Sequence, residues 1–124
     1  MDIEVLRQEF SVCKVRDIKD VDFNPDLVFV GKTNEEISLV CETKAVPTCA
    51  YVSEGGWRAF RVSGVLDFSL TGILYGISKI MADNNIGIFA VSTYNTDYIL
   101  VKKENIDMAV KKLSEGGYRV KYSK

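Results

Sequence analysis

The spacing of hydrophobic positions is most regular in the second half of the chain, where it predicts a series of elements in order. Residues 57–63 form a predicted strand, and residues 66–81 carry apolar side chains at helical spacing along one broad stripe. Residues 86–91 are nearly all apolar, which is typical of a strand buried on both faces. A polar turn at residues 94–97 then leads to a partner strand at residues 98–102.

The end of the chain predicts a second helix and a final strand. Residues 104–115 place apolar side chains on one face, with acids near the helix start and lysines near its end, which the helix dipole favours. Gly116 and Gly117 end this helix, and residues 118–122 alternate as a half-exposed strand. The order βαββαβ predicts an α+β, ferredoxin-like sandwich in which two helices cover one face of a four-stranded antiparallel sheet.

The first half has shorter runs. Residues 10–15 form a predicted strand, and residues 27–30 and 36–41 predict a strand, a turn and a strand. Only a short crossover fits after the first of these strands, so a helix there is reduced to a turn or two. Residues 42–56 are irregular, with room for a short helix at residues 46–52.

The two halves share a weak internal repeat. Residues 30–40 align with residues 91–101, and both segments fit the same strand–turn–strand geometry. We therefore predict a degenerate copy in residues 1–56 and a complete domain in residues 57–124, packed as one unit. The positions identical in the alignment are Val30, Asn34, Leu39 and Val40.

Composition excludes several classes of function. The 124 residues are 47% hydrophobic and 27% charged, which suits a globular core, and the net charge of −1 provides no basic surface for nucleic acid. The chain has no histidine, which removes the commonest general base and the commonest metal ligand. We find no nucleophile–base pair and no metal cluster in the sequence. We therefore expect a protein that is not an enzyme and that uses no cofactor and no metal.

The cysteines and the N-terminus bear on the compartment. Cys13 and Cys41 lie in apolar runs, where a free cysteine acts as a small buried hydrophobe, whereas Cys49 follows a proline and a threonine. Free cysteines at irregular spacings and without a CxxC motif predict a reducing compartment. The first ten residues lack the pattern of a signal peptide, and no run of 18 apolar residues occurs. We expect a cytoplasmic protein without a membrane partner.

Four short motifs stand out in residues 64–102. They are Leu66-Asp67-Phe68, Thr71-Gly72, Asn85-Ile86-Gly87-Ile88 and the segment from Ser92 to Asp97. With these motifs the segment resembles an ACT domain, most closely those in the regulatory regions of aspartate kinases and in the cytosolic arginine sensors. The resemblance covers the second half well and the first half only as the degenerate copy, and small stand-alone tandem proteins are similar along the whole length. No kinase domain is present, so the resemblance implies no kinase activity.

The resemblance implies an allosteric binding module for an amino acid or a similar small ligand, often held at an interface between two such domains. The ligand is expected where the loop after the first strand faces the start of the next strand–turn–strand. On one side, the implied residues are Val65, Leu66, Asp67, Phe68, Ser69 and Thr71. On the other side, they are Ile88, Phe89, Ser92 and Thr93.

Elementary chemistry leaves two roles open for several of these residues. A helix start near Asp67 offers unpaired backbone N–H groups that can hold a carboxylate. Asp67 itself can cap the helix or accept an α-ammonium group, and capping is the commoner role. Ser92 and Thr93 either contact a ligand or shape the turn, and Phe68 and Phe89 fit the core better than a ligand wall.

We weigh four functions. An amino-acid-binding regulatory module leads, and a structural or interaction module that forms a homodimer without ligand is the alternative. An acyl-phosphate hydrolase would depend on Arg58, Arg61 and Asn95, which no motif joins. RNA binding would need aromatic side chains with basic neighbours on the sheet, which the acidic balance opposes. The expected partners are a small molecule and a second copy of the chain.

Overall fold

The computed structural model describes residues 1–64 and 71–123. These residues belong to two compact units. The front unit is Gln8–Trp57, and the rear unit combines Met1–Arg7 with Arg58–Lys124. The proposed division at residue 57 into a degenerate and a complete domain stays a prediction.

The described residues form seven strands, two α-helices and three short 3₁₀ turns. The strands are β1 (Asp2–Val15), β2 (Val28–Lys32), β3 (Ile37–Glu42), β4 (Val52–Val62), β5 (Phe89–Ser92), β6 (Asp97–Lys102) and β7 (Arg119–Tyr122). The α-helices are α1 (Ile73–Asp83) and α2 (Ile106–Glu115). Three 3₁₀ turns occur at Ile18–Asp20, Thr43–Ala45 and Lys103–Asn105.

The rear unit has the predicted order of strand, helix, strand, strand, helix and strand from β4 to β7. Its strands lie side by side as β5-β6-β4-β1-β7, with β5 and β6 antiparallel. The beginning of β1 adds a fifth strand to the expected four, because it lies between β4 and β7 and pairs with β7 in parallel from Asp2 to Val5. The ferredoxin-like fold class is confirmed, with this inserted strand as its difference.

Both helices of the rear unit pack on the same side of these strands. Ile77 of α1 and Leu113 of α2 are fully buried in one cluster with Phe60 of β4 and Ile99 of β6. The inserted strand contributes Ile3 to the same cluster. Burying an aliphatic side chain of this size stabilises the folded state by roughly 1.5–3 kcal/mol. Burial of this shared apolar face is therefore the main interaction that holds the two helices on the strands.

Helix α1 begins later than its apolar stripe predicts. Its N-cap is Gly72, with φ 77°, rather than Asp67, which lies outside the described residues. At the other end, Asn85 has φ 58° and the Ile86 N–H donates to the carbonyl of Met81 at 2.9 Å. A left-handed residue of this kind closes the last turn of a helix.

The front unit has strands in the order β2-β3-β1-β4 and contains no α-helix, all of its residues 8–57 being described. A 3₁₀ turn at Ile18–Asp20 replaces the first helix, which confirms the prediction of a reduced crossover. The predicted short helix at residues 46–52 is wrong, since the 3₁₀ turn lies earlier and β4 already begins at Val52. The glycine pair before Trp57 therefore lies within a strand.

Strands β2 and β3 match strands β5 and β6 in their antiparallel pairing, but the match is displaced by one residue from the sequence alignment of the two halves. Strands β3 and β6 have the same length and burial pattern, and each leads into a 3₁₀ turn, so Ile37 corresponds to Asp97 rather than to Tyr98. Leu39 then corresponds to Ile99, and each faces the hydrophobic cluster of its own unit. The aligned partner, Leu100, points to the opposite face, because neighbouring strand residues alternate.

Candidate functional site

The rear-unit site implied by the resemblance is described only in part. Thr71 is exposed directly before α1, Ile88 and Phe89 are half-buried, and Ser92 and Thr93 are exposed at the end of β5. The remaining predicted ligand residues, Val65, Leu66, Asp67, Phe68 and Ser69, lie outside the described residues. The site as a whole stays a prediction.

The hydroxyl groups of the β5–β6 turn are used by the turn itself. Ser92 Oγ donates to Asp97 Oδ1 at 2.6 Å. Thr93 Oγ1 donates to the carbonyl of Thr96 at 3.1 Å and accepts the Thr96 N–H at 3.3 Å. These contacts favour the turn-shaping role for Ser92 and Thr93, although each hydroxyl oxygen keeps a lone pair that a ligand could use.

Thr96 connects this turn to the end of β4. It is only 4% exposed, and its Oγ1 donates to the carbonyl of Val62 at 2.8 Å. Sequence reasoning placed it in the turn but missed this role, since no pattern in the turn distinguishes a buried threonine from an exposed one. The bond holds the β5–β6 turn against the residue where β4 ends.

The next residue, Ser63, carries an unsatisfied hydroxyl. Its backbone N–H donates to the carbonyl of Asp2 at 2.9 Å, while its buried Oγ has no hydrogen-bond partner among the described residues. Leaving such a group unpaired costs about 1–3 kcal/mol, so a water molecule or a ligand is its expected partner. The hydroxyl adjoins the carbonyl that Thr96 binds.

The start of α1 offers further unpaired groups. A hydrogen bond runs from the Gly76 N–H to the carbonyl of Gly72 at 2.9 Å, and the amides of residues 73–75 have no partner of this kind among the described residues. Gly72 has no side chain with which to cap them. A helix start of this kind carries partial positive charge and suits a carboxylate.

The two arginines of the hydrolase alternative are engaged in structural contacts. Arg58 Nη2 donates to the carbonyl of Leu6 at 2.9 Å. Arg61 Nε donates to Glu4 Oε1 at 2.8 Å, and this hydrogen bond raises the pKa of the Arg61 guanidinium. Both arginines therefore have a structural role in the described residues, and the geometry gives the hydrolase alternative no support.

The front unit contains a cleft of about 390 Å³ that sequence reasoning missed. It lies where β1 ends, beside the β2–β3 turn at residues 33–36, and Tyr51 forms one wall. This is the position, within the front unit, that corresponds to the predicted ligand site of the rear unit. The repeat could have pointed to it, but the approach of Arg16 to Tyr51 has no signature in the sequence.

Side chains around this cleft are held in place by specific contacts. The guanidinium carbon of Arg16 lies 4.2 Å from the centroid of the Tyr51 ring, and the Tyr51 N–H donates to the carbonyl of Lys14 at 3.2 Å. On the facing turn, Glu36 Oε1 accepts the Ser38 hydroxyl at 2.7 Å and lies 3.9 Å from Lys14 Nζ. The cleft therefore has a positioned cation on one side and a positioned carboxylate on the other.

Neither a metal cluster nor a membrane-spanning helix is found in the described part of the chain. No group of three histidine, cysteine or acidic side chains in residues 1–64 and 71–123 is arranged to hold a metal ion. None of the helices in these residues has the length and apolar character that crossing a membrane requires.

Solved structures share the fold along most of the chain. A protein from Agobacterium tumefaciens has a TM-score of 0.87 at 23% identity, covering 99% of this chain and 93% of that one. The regulatory subunit of aspartate kinase from Thermus thermophilus has a TM-score of 0.59 at 8% identity, covering 89% and 93%. The aspartate kinase of Clostridium acetobutylicum has a TM-score of 0.64 at 13% identity, covering 88% of this chain and 33% of the enzyme.

The family is established by a sequence model rather than by these structures, whose low identities show the fold alone. No curated protein has significant sequence similarity to the chain. A family model described as an ACT domain matches residues 52–115, just over half of the 124 residues. The predicted resemblance is thereby confirmed, and the chain belongs to the ACT domain family, with similarity to the regulatory domains of aspartate kinases.

Proposed function

We propose that the chain is a non-catalytic regulatory module that binds a small molecule, specifically an amino acid, in its rear unit. The observation that carries the proposal is the Thr96–Val62 hydrogen bond beside the buried hydroxyl of Ser63, which has no hydrogen-bond partner among the described residues. A strand end tied to a turn next to a polar group without a partner is a suitable place for a small polar ligand. Membership of the ACT family supports the same conclusion.

The chemistry of the rear unit suits the two charged groups of an amino acid. The amides at the start of α1, residues 73–75, have no helical partner among the described residues and are suitable donors for a carboxylate. Ser63 Oγ is an acceptor for an ammonium group, and the predicted ligand residue Asp67 would supply the opposing charge. In this proposal the segment that contains Asp67, which lies outside the described residues, completes the site.

Binding would act on a partner through a change in assembly. In the proposal the chain forms a homodimer in the cytoplasm, and the ligand stabilises one arrangement of the pair, which is how an allosteric module transmits a signal. The Thermus thermophilus relative is described as a regulatory subunit, which supports a regulatory rather than a catalytic role here. The chain spans a third of the length of the Clostridium acetobutylicum enzyme.

Thermal unfolding in the presence of each standard amino acid tests the proposal. A ligand at a hundred times its dissociation constant is expected to stabilise the protein by about 2.7 kcal/mol. Thr96→Val should reduce this stabilisation, whereas Met108→Gln, which changes an exposed side chain on α2, should not. Protein shown by mass spectrometry to be free of a copurified ligand, yet stabilised by no amino acid, would refute the proposal. A dimer under those conditions would favour the structural alternative.

A further inference from the structure

We propose that the front cleft, between Arg16 with Tyr51 on one side and residues 33–36 on the other, is a second ligand site for a small zwitterion. The ligand class is a molecule that carries a carboxylate and an ammonium group close together. The inference goes beyond the rear-unit site, because it depends only on residues of the front unit.

The floor of the cleft is apolar and lies at the end of the sheet. Val15 is the last residue of β1, and it pairs with Ile37, the first residue of β3. Val15 is 1% exposed and belongs to the front unit's own hydrophobic cluster, which Ile37 packs against. The floor is therefore fixed by the core, and a ligand resting on it would find a preformed surface.

Arg16 supplies the group for a carboxylate. Its guanidinium is exposed and stacks on the Tyr51 ring, and it makes no ion pair or hydrogen bond with the described residues. Stacking uses the flat face of the guanidinium and leaves its N–H edges available. Those edges match a carboxylate in a two-bond geometry, and the backbone bond from Tyr51 to Lys14 keeps the ring in place.

The turn facing Arg16 supplies the groups for an ammonium. Thr33 Oγ1 accepts the backbone N–H groups of Glu35 and Glu36 at 3.1 and 3.3 Å, so the turn amides are already used and do not attract an anion. The Glu35 carboxylate is exposed, and Glu36 Oε2 has no hydrogen-bond partner among the described residues. Both can accept from an ammonium, which has three donors to place.

The charge balance distinguishes a zwitterion from a simple ion. Arg16 and Lys32 border the cleft with two positive charges, and Glu35 and Glu36 border it with two negative charges. A polyanion would be repelled by the carboxylates, and a simple cation by the basic groups. The volume of about 390 Å³ is near the lower end of the range for ligand pockets, which suits a molecule of amino-acid size.

Nuclear magnetic resonance of the full-length, ¹⁵N-labelled chain tests the inference, with the standard amino acids added singly at millimolar concentration. At least one is expected to shift the Arg16 Nε–H signal together with the amide signals of residues 33–36. The backbone amides of Ser63 and Thr96 report separately on the rear unit. Shifts at Ser63 and Thr96 alone would overturn the front-cleft inference and leave the proposed function standing. Shifts at the cleft alone would support the inference and count against the rear-unit site.

Variants test separately whether the cleft recognises the carboxylate and the ammonium group of the ligand. Arg16→Gln should weaken binding at the cleft by about tenfold or more, because it removes the charged fork, whereas Lys111→Gln on α2 should leave binding unchanged. The N-acetylated form of the same amino acid should bind the wild type more weakly than the free form does. In Glu35→Gln the difference in affinity between the two forms should be smaller. Equal binding of the free and N-acetylated forms would show an anion site and overturn the zwitterion. No cleft shift with any amino acid would also overturn it.

Discussion

The hydroxyl of Thr96 donates to the carbonyl of Val62 across 34 residues of sequence, at a distance of 2.8 Å. This bond joins the β5–β6 turn to the end of β4, and it is buried. Of the described groups of the proposed rear-unit site, Ser63 directly follows the end of β4, and Ser92 and Thr93 lie at the β5–β6 turn. The geometry of the site therefore depends on a hydrogen bond that has no role in binding itself.

Replacing Thr96 tests how much its hydrogen bond to Val62 contributes to the stability of the protein. Thr96→Val keeps the shape of the side chain but removes the donor, and we expect a loss of about 1 kcal/mol in the free energy of unfolding. Thr96→Ser keeps the hydroxyl and should lose less. Urea denaturation measures both, and an unchanged slope would show that only stability has altered. A valine variant as stable as the wild type would show that the bond contributes nothing.

Asn85 closes α1 in the left-handed conformation, with φ 58°. Asn85→Ala should destabilise the protein by about 1 kcal/mol, because a Cβ without a local polar group disfavours this conformation. Asn85→Gly should be as stable as the wild type or slightly more so, since glycine adopts positive φ freely. Thermal unfolding of the two variants measures the difference. If they unfold at the same temperature, the conformation of residue 85 does not limit stability.

The three cysteines should differ sharply in reactivity. Cys13 and Cys41 are buried, and Cys49 is exposed, so native protein should react with a thiol reagent at one site per chain and denatured protein at three. Cys49→Ser should abolish the native reaction. Rapid labelling of a second cysteine in the folded wild type would contradict the assignment.

Asp20 should slow the reaction of Cys49 at neutral pH. Desolvation raises the pKa of the Cys49 thiol, and the hydrogen bond and the negative charge of Asp20 raise it further. Asp20→Asn removes the charge, so it should lower this pKa and speed labelling. Asp26→Asn, another exposed acid of the front unit, is the matched control. The pH dependence of the labelling rate reports the thiol pKa, and equal profiles for wild type and Asp20→Asn would disprove the role of Asp20.

Alkaline pH should destabilise the fold through Cys41. Burial is the main cause that raises its pKa from 9.0 to about 12, and the neighbouring Cys13 adds to it. The unfolded chain therefore loses this proton first as the pH rises, so the stabilisation is complete below about pH 9 and is lost between about pH 9 and 12. Cys41→Ala should show a shallower decline than the wild type. Val40→Ala, a neighbouring core change without a titrating group, should lose stability but keep the wild-type slope.

Two features of the fold required the tertiary structure because they depend on distant contacts. Asp2 pairs with Arg119, and no local pattern shows that the start of the chain joins a strand at its end. The sequence alignment of the two halves is shifted by one residue because it matches Leu39 with Leu100, which are the same residue type. The structure shows that Leu39 faces its own hydrophobic cluster and that Ile99, not Leu100, faces the other. The front cleft was missed for the same reason, since Arg16 and Tyr51 are 35 positions apart.

By itself, the sequence determined the order of strands and helices in the rear unit, the ferredoxin-like class and the ACT family. It could do so because apolar spacing and turn residues act locally and leave a periodic record. Only the tertiary structure decided the start of α1 at Ile73, the strand inserted beside β7 and the contact of Arg16 with Tyr51. Each of these depends on which distant segment packs against another, a competition of burial and hydrogen bonding that no single stretch of sequence encodes.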